Sequence, residues 1–181
     1  GEMSPVMMAA LLTGADATVT VFDLKTLATL QTLKVAGTKP DSILYDSFTQ
    51  RVFTFNGNSD NASAFDAVTG EALGTIELGG GPEFAVSDGA GNCYVNLEEA
   101  AVVVRIDPKN LAVTARWPLA PGAAATALAL DKANHRLFSG CRSKNLMVLN
   151  SDTGAIVANL PIGGGVDAIA LDLEHKRAYV G

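Results

Sequence analysis

Three carboxylates and a hydroxyl stand at one phase of this sequence. Asp41, Glu83, Thr126 and Asp167 are spaced 42, 43 and 41 residues apart. Each follows a glycine-, alanine- or proline-rich stretch, such as Gly79 to Pro82 or Gly163 to Val166. Carboxylate oxygens suit hard cations such as calcium. Brought round one axis, these positions would form an acidic rim for a cation or a cationic ligand. The competing reading makes them loop carboxylates that accept backbone N–H bonds and tie neighbouring loops together. Asn56, Glu98 and Arg142 form a second polar set at another shared phase. Their mixed character suits a peptide or a sugar, and any solvated loop face shows the same.

Other reactive residue types carry less. His135 and His175 are the only histidines and lie in short turns, Asp131 to His135 and Asp172 to His175. Both read as solvated turn residues, which leaves a nucleophilic triad without its base. Cys93 and Cys141 are too few for a disulfide framework and show no CxxC spacing for zinc. Two half-buried thiols are expected, with a disulfide between them the open alternative; Arg142 beside Cys141 argues for a lowered thiol pKa. The triplets Gly79 to Gly81 and Gly163 to Gly165 lack GxxxxGK[ST], and no helix follows them. They read as tight backbone crossings. No catalytic residue is identified, and cofactor and metal are unknown.

The 181 residues carry a net charge of −6, with 48% apolar and 18% charged residues. A single domain with a large core follows. The acidic balance argues against nucleic acid and anionic membrane as partners. No apolar stretch reaches the ~18 residues that span a bilayer.

The elements that must position these residues repeat about every 42 residues. One anchor is the turn-forming Asp23, Asp66, Asp107 and Asn150; a second is Asp46, Asp88, Asp131 and Asp172; a third is the aromatic Phe53, Tyr94, Phe138 and Tyr179. Between anchors lie short runs rich in Val, Ile, Leu, Phe and Tyr, bounded by turn residues, which read as strands. The best-formed unit predicts strand A over 41–46, B over 51–56, C over 62–66 and D over 71–78. Met7 to Leu12 reads as a strand of the first unit, and Trp117 as outer packing on a strand D. Four-strand units of 40–45 residues have the period of a propeller blade. The fold class is therefore all-β: an incomplete β-propeller of four-stranded antiparallel blades, about four of a larger set. It forms one domain over 1–181, with blade parts 6–35, 41–78, 83–119, 124–162 and 167–181. Seventeen strands are expected. D-to-A and B-to-C loops share one face, which holds the candidate rim, and the A-to-B and C-to-D turns share the other.

At these anchors the chain resembles the YVTN-type β-propeller family, which includes YncE-like secreted bacterial proteins. Strand B carries Arg51 to Asn56, Asn92 to Asn96, Arg136 to Gly140 and Arg177 to Gly181. The end of strand C carries Ala64 to Gly70 and Leu149 to Gly154. The links carry Leu78 to Pro82 and Pro161 to Gly165. Asn92-Cys93 and Ser139-Gly140 depart from the usual strand-B pattern. The resemblance implies a seven-bladed ring, larger than this chain, and a periplasmic or extracellular location. A homodimer closing an eight-bladed ring is an alternative.

Function is expected to be a non-catalytic binding or interaction scaffold for a protein, peptide, sugar or cation at the loop face. The alternatives are a fragment of a redox or other enzyme propeller whose site needs further blades, and a surface-layer or adhesion module. Self-association through open blade edges is expected.

Overall fold

A computed structural model describes residues 9–10 and 17–181. Five antiparallel sheets follow one another along the chain. The first holds β1 (Ala9–Ala10), β2 (Thr18–Phe22) and β3 (Thr29–Lys34). The second holds β4 (Pro40–Asp46), β5 (Arg51–Asn56), β6 (Asn61–Asp66) and β7 (Ala72–Glu77). The third holds β8 (Pro82–Ser87), β9 (Cys93–Leu97), β10 (Val102–Asp107) and β11 (Ala112–Pro118). The fourth holds β12 (Ala125–Asp131), β13 (Arg136–Cys141), β14 (Asn145–Asn150) and β15 (Ile156–Pro161). The fifth holds β16 (Ile169–Asp172) and β17 (Arg177–Val180). Strand order within each sheet is sequential, and the seventeen strands among the described residues match the expected number. The second sheet matches its predicted limits to within one residue. Of the strand expected over Met7 to Leu12, Ala9 and Ala10 pair with Val21 and Thr20, and the rest lies outside the described residues.

The core is divided into slabs between successive sheets. Val19, Val21 and Leu33 pack against Phe65 of the next sheet. Phe53, Phe55, Ile76 and Leu78 pack against Val95, Leu97, Val104 and Ile106. Tyr94 and Val103 pack against Leu128, Leu137, Met147 and Leu149. β9 shows why its sequence lacks an apolar–polar alternation. Cys93, Val95 and Leu97 face the second sheet, Tyr94 faces the fourth, and every residue of the strand is buried. Sheets stacked face to face about a common axis, each made of four sequential antiparallel strands, define part of a β-propeller.

Polar bonds fix the angle between neighbouring sheets in a repeated way. A strand side chain of one sheet donates to a carbonyl in the C-to-D turn of the next. Gln31 reaches Thr69 O at 3.4 Å, Arg51 reaches Pro108 O at 2.6 Å, and Arg105 reaches Asp152 O at 3.2 Å. At the outer edge Trp117 stacks on Tyr94 with ring centroids 6.0 Å apart and carries the Arg105 guanidinium 5.6 Å from its ring. Trp117 also fills the space where a Gly154 side chain would stand, so this tryptophan is outer packing between blades, as expected.

Each crossing into a strand A ends on a left-handed residue: Lys39 (φ 53°), Gly81 (φ 67°), Ala124 (φ 52°) and Gly165 (φ 76°). The glycine triplets thus serve the backbone crossing, and lysine or alanine adopts the same conformation in the other two links.

Candidate functional site

Strand A of the second, third and fourth sheets breaks register at its start. The irregularity falls between Pro40 and Ser42, between Pro82 and Ala85, and between Ala125 and Ala127. Asp41, Glu83 and Thr126 occupy these bulges, which explains their common phase. A bulge leaves a residue outside the ladder and re-aims its side chain.

The bulges do not deliver the four residues to one uniform rim. Thr126 is buried, and its hydroxyl donates to Val166 O of the following blade. It joins blades and is removed from the candidate ligand set. Asn56 is also fully buried; its Nδ2 donates to Asn61 Oδ1 at 2.8 Å and Ser63 Oγ at 3.1 Å. The placement of Asn56 on an exposed loop is corrected accordingly. The end of strand B is covered by the link before β4, where Gly37 lies against the Asn56 side chain.

The remaining residues do come together. Asp41 Oδ2 pairs with Lys39 Nζ at 3.1 Å and fits over Gly57, where no side chain blocks it. Glu83 is pinned beside Asp41, because Ser42 Oγ donates to the Glu83 carbonyl. Glu98 is brought alongside by its own N–H, which donates to Gly81 O at 2.8 Å. Arg142 then spans the sheets: one guanidinium nitrogen donates to Glu98 Oε1 at 2.8 Å, the other to Asp167 Oδ1 at 2.8 Å. Lys39 and Arg142 make this face a mixed-charge network, where the sequence suggested an acidic rim.

Glu83 forms no ion pair among the described residues. Burial, then the Asp41 and Glu98 carboxylates, push its carboxyl up to about 7, with a hydrogen bond to Glu98 adding to the rise. Asp41 raises the pKa of Lys39, chiefly through their hydrogen bond. The residue after Glu83, Phe84, is 46% exposed, on a strand where Pro82 and Ala85 are buried. The sequence offered no sign of this exposure, since Phe84 reads as one more apolar strand residue.

Carboxylates on the opposite face are used differently. Asp23 Oδ1 accepts the N–H groups of Lys25 and Thr26, Asp66 Oδ1 those of Val68 and Thr69, and Asp107 Oδ1 those of Lys109 and Asn110. These bonds hold all three carboxyls below the ordinary aspartate value. Those aspartates cap their own turns, while on the loop face Asp60 Oδ1 ties loops by accepting the Gly81 N–H at 2.8 Å. Among the described residues, Asp41, Glu83, Glu98 and Asp167 accept no such bond. His135 and His175 are exposed in turns on that opposite face, paired with Asp152 and Asp172 at 3.0 and 2.8 Å.

Both cysteines are free and buried. Burial raises both thiols, Cys93 to about 12, with the nearby Asp46 adding to the effect on Cys93. The lowered pKa expected for Cys141 beside Arg142 is corrected: that guanidinium turns outward to Glu98 and Asp167. Asn96 went unnoticed in the sequence. It is fully buried, donates to Ala127 O at 2.8 Å and accepts from Ser139 Oγ at 3.0 Å, both on the next blade. An asparagine inside an apolar strand was the available signal.

By sequence, no family model and no curated protein matches the chain. By structure it is similar to hydrazine synthase of Kuenenia stuttgartiensis, with a TM-score of 0.81 at 17% identity, over 91% of this chain and 49% of that one. It is also similar to the Cps50 (Swd1) β-propeller domain of Myceliophteria thermophila, with a TM-score of 0.79 at 16% identity, over 97% of this chain and 58% of that one. The chain is part of a β-propeller, WD40-like in fold, and spans about half the length of the structures it matches. At these identities the likeness concerns fold alone.

Proposed function

We propose that the chain belongs to a non-catalytic binding scaffold whose ligand face is the rim of Lys39, Asp41, Glu83, Glu98, Arg142 and Asp167. The bound group is an organic cation, an ammonium or guanidinium carried on a peptide. One observation carries this reading: Asp41 and Glu98 lie near enough to Glu83 to raise its carboxyl, and none of the three is used to cap a turn. Carboxylates suit a cation, and Phe84, the residue after Glu83, is exposed and available to a weakly hydrated one. A bare metal ion is the poorer fit, because no group of three or more ligating side chains is disposed around one position among the described residues.

Membership of the YVTN-type, YncE-like propellers and export to the periplasm or beyond belong to the same proposal. The support is the equivalent placement of Arg51, Arg136 and Arg177 at the start of strand B in three sheets. Self-association is part of it too, since Val157, Leu160 and Tyr179 are about half exposed on the fourth and fifth sheets. Sedimentation over rising concentration is expected to show growing species, and a sharp monomer throughout rejects that element.

Binding is tested by NMR shift titration with N-acetylargininamide and, separately, with calcium chloride. The expected result is a saturating response to the guanidinium probe, lost when Asp41→Asn and Glu83→Gln are combined. No response from either probe rejects the cation-binding reading.

A further inference from the structure

Asn56 and Gly57 form the one Asn-Gly pair in the sequence. Such a pair is prone to deamidation, because glycine has no Cβ to shield its peptide nitrogen. In that reaction the deprotonated Gly57 nitrogen attacks Asn56 Cγ. The N–Cγ bond forms, the Cγ–Nδ2 bond breaks, and ammonia leaves with a proton taken from water. A water molecule then opens the cyclic imide to an aspartyl or an isoaspartyl residue. The fold holds back each part of this chemistry. Gly57 N–H donates to Lys39 O at 2.9 Å, so the nucleophile is committed. Asn56 Oδ1 is buried with no hydrogen-bond partner among the described residues, so charge arising on it meets no donor. Asn56 Nδ2, the leaving group, is held by Asn61 Oδ1 at 2.8 Å and Ser63 Oγ at 3.1 Å.

The first two restraints need the link 35–39 to lie on the second sheet. Gly37 stands against the Asn56 side chain, Ala36 N–H donates to Ser63 Oγ at 3.2 Å, and Thr38 N–H donates to Ser59 Oγ at 2.8 Å. This link joins β3 to β4, so it is pulled away when the first sheet leaves the second. We propose that Asn56-Gly57 is a latent modification site, uncovered by detachment of the first sheet, and that its deamidation makes the detachment permanent. The reaction replaces the Nδ2 donor with a carboxylate opposite Asn61 Oδ1, at a position with no exposed surface. A charge buried there costs more than the amide it replaces. An isoaspartyl residue also adds a methylene to the main chain at the end of β5, which draws Gly57 N–H away from Lys39 O. A boundary that has opened long enough to react therefore cannot close on its former bonds.

The chain is incubated at pH 8.5 and 37 °C, native and in 6 M urea, and position 56 is followed by peptide mass and by isoaspartyl content. The native rate is expected to be about a hundredfold below the rate in urea, since reaction waits on a rare local opening. Equal rates overturn the proposal. Ser59→Ala removes one bond of the link without touching the Asn-Gly pair. It is expected to raise the native rate about fivefold and to leave the rate in urea unchanged. A native rate that Ser59→Ala does not alter overturns the control of the site by the link. Permanence is read separately, on deamidated molecules isolated from the native incubation by anion exchange, which resolves their added negative charge. Their amides at Ala36, Thr38 and Gly57 are expected to lose hydrogen-exchange protection, while those of the fourth sheet keep it. Full protection at all three overturns the permanent detachment.

Discussion

Arg142 and Glu98 meet at 2.8 Å across the boundary between the third and fourth sheets, and the same guanidinium holds Asp167 of the following unit. One side chain thus ties three successive repeats at the loop face. Its geometry demands a planar fork, which a lysine ammonium does not supply. Arg142 is 46% exposed, so the pair is worth only about 0.5–1 kcal/mol. Arg142→Lys is expected to lower the urea midpoint slightly at low salt, with the gap closing by 1 M sodium chloride. An effect that persists at high salt assigns Arg142 a packing role instead.

Asn96 is the stronger link. Its carboxamide satisfies Ala127 O and Ser139 Oγ in a boundary with no exposed surface. Asn96→Ala strands both partners and leaves a small void. The expected cost is about 2–3 kcal/mol, read as a fall in thermal midpoint. In Ser139→Ala the Asn96 amide keeps its bond to Ala127, so the single change is milder. The double variant is expected to cost less than the sum of the two. Strict additivity would show that the two residues do not act together.

The architecture was legible because its signal is redundant. Turn aspartates, strand-start arginines and strand aromatics repeat at one period, and any one of them would have set the phase. The site was only partly legible, because repeat phase fixes where a backbone lies but not where a bulged side chain turns. Asp41, Glu83 and Thr126 share a bulge, yet two remain at the rim while Thr126 is buried against Val166. Asn56 and Glu98 share a loop face, yet the link at Gly37 covers Asn56 alone. The cations were harder still to place. Lys39 stands outside every repeat anchor, and it pairs with Asp41 from a left-handed backbone position that its residue type does not announce.

Thiol chemistry separates the structure from the local sequence. An arginine adjacent to Cys141 suggested a reactive thiolate, whereas both thiols are buried and raised. Native protein is therefore expected to react with a disulfide reagent at pH 8 only as fast as it opens, and fully within seconds in 6 M guanidinium. Rapid labelling of either cysteine in the native state contradicts their burial.

Stability should show an unusual pH optimum. Asp23, Asp66 and Asp107 have folded values below those of the unfolded chain, so their contribution is complete above about pH 4 and is lost as pH falls below it. Glu83 acts in the opposite sense. Its folded value near 7 exceeds the ordinary 4.5, so between these values the folded chain holds a proton that the unfolded chain has released. Stability then falls as pH rises from about 4.5 to 7, by about 1–2 kcal/mol once solvent screening of a half-exposed group is allowed for. Cys93 continues the trend, because an unfolded thiol ionises near 9 while the folded one resists to about 12. The most stable condition is expected near pH 4.5–5, on the acid side of neutrality. Urea midpoints measured at half-unit intervals should fall from there to pH 7, and Glu83→Gln should flatten that limb without changing the acid limb below pH 4. A midpoint that instead rises from pH 5 to 7 would mean that Glu83 ionises in the folded chain as readily as in water, and that Asp41 and Glu98 do not crowd it.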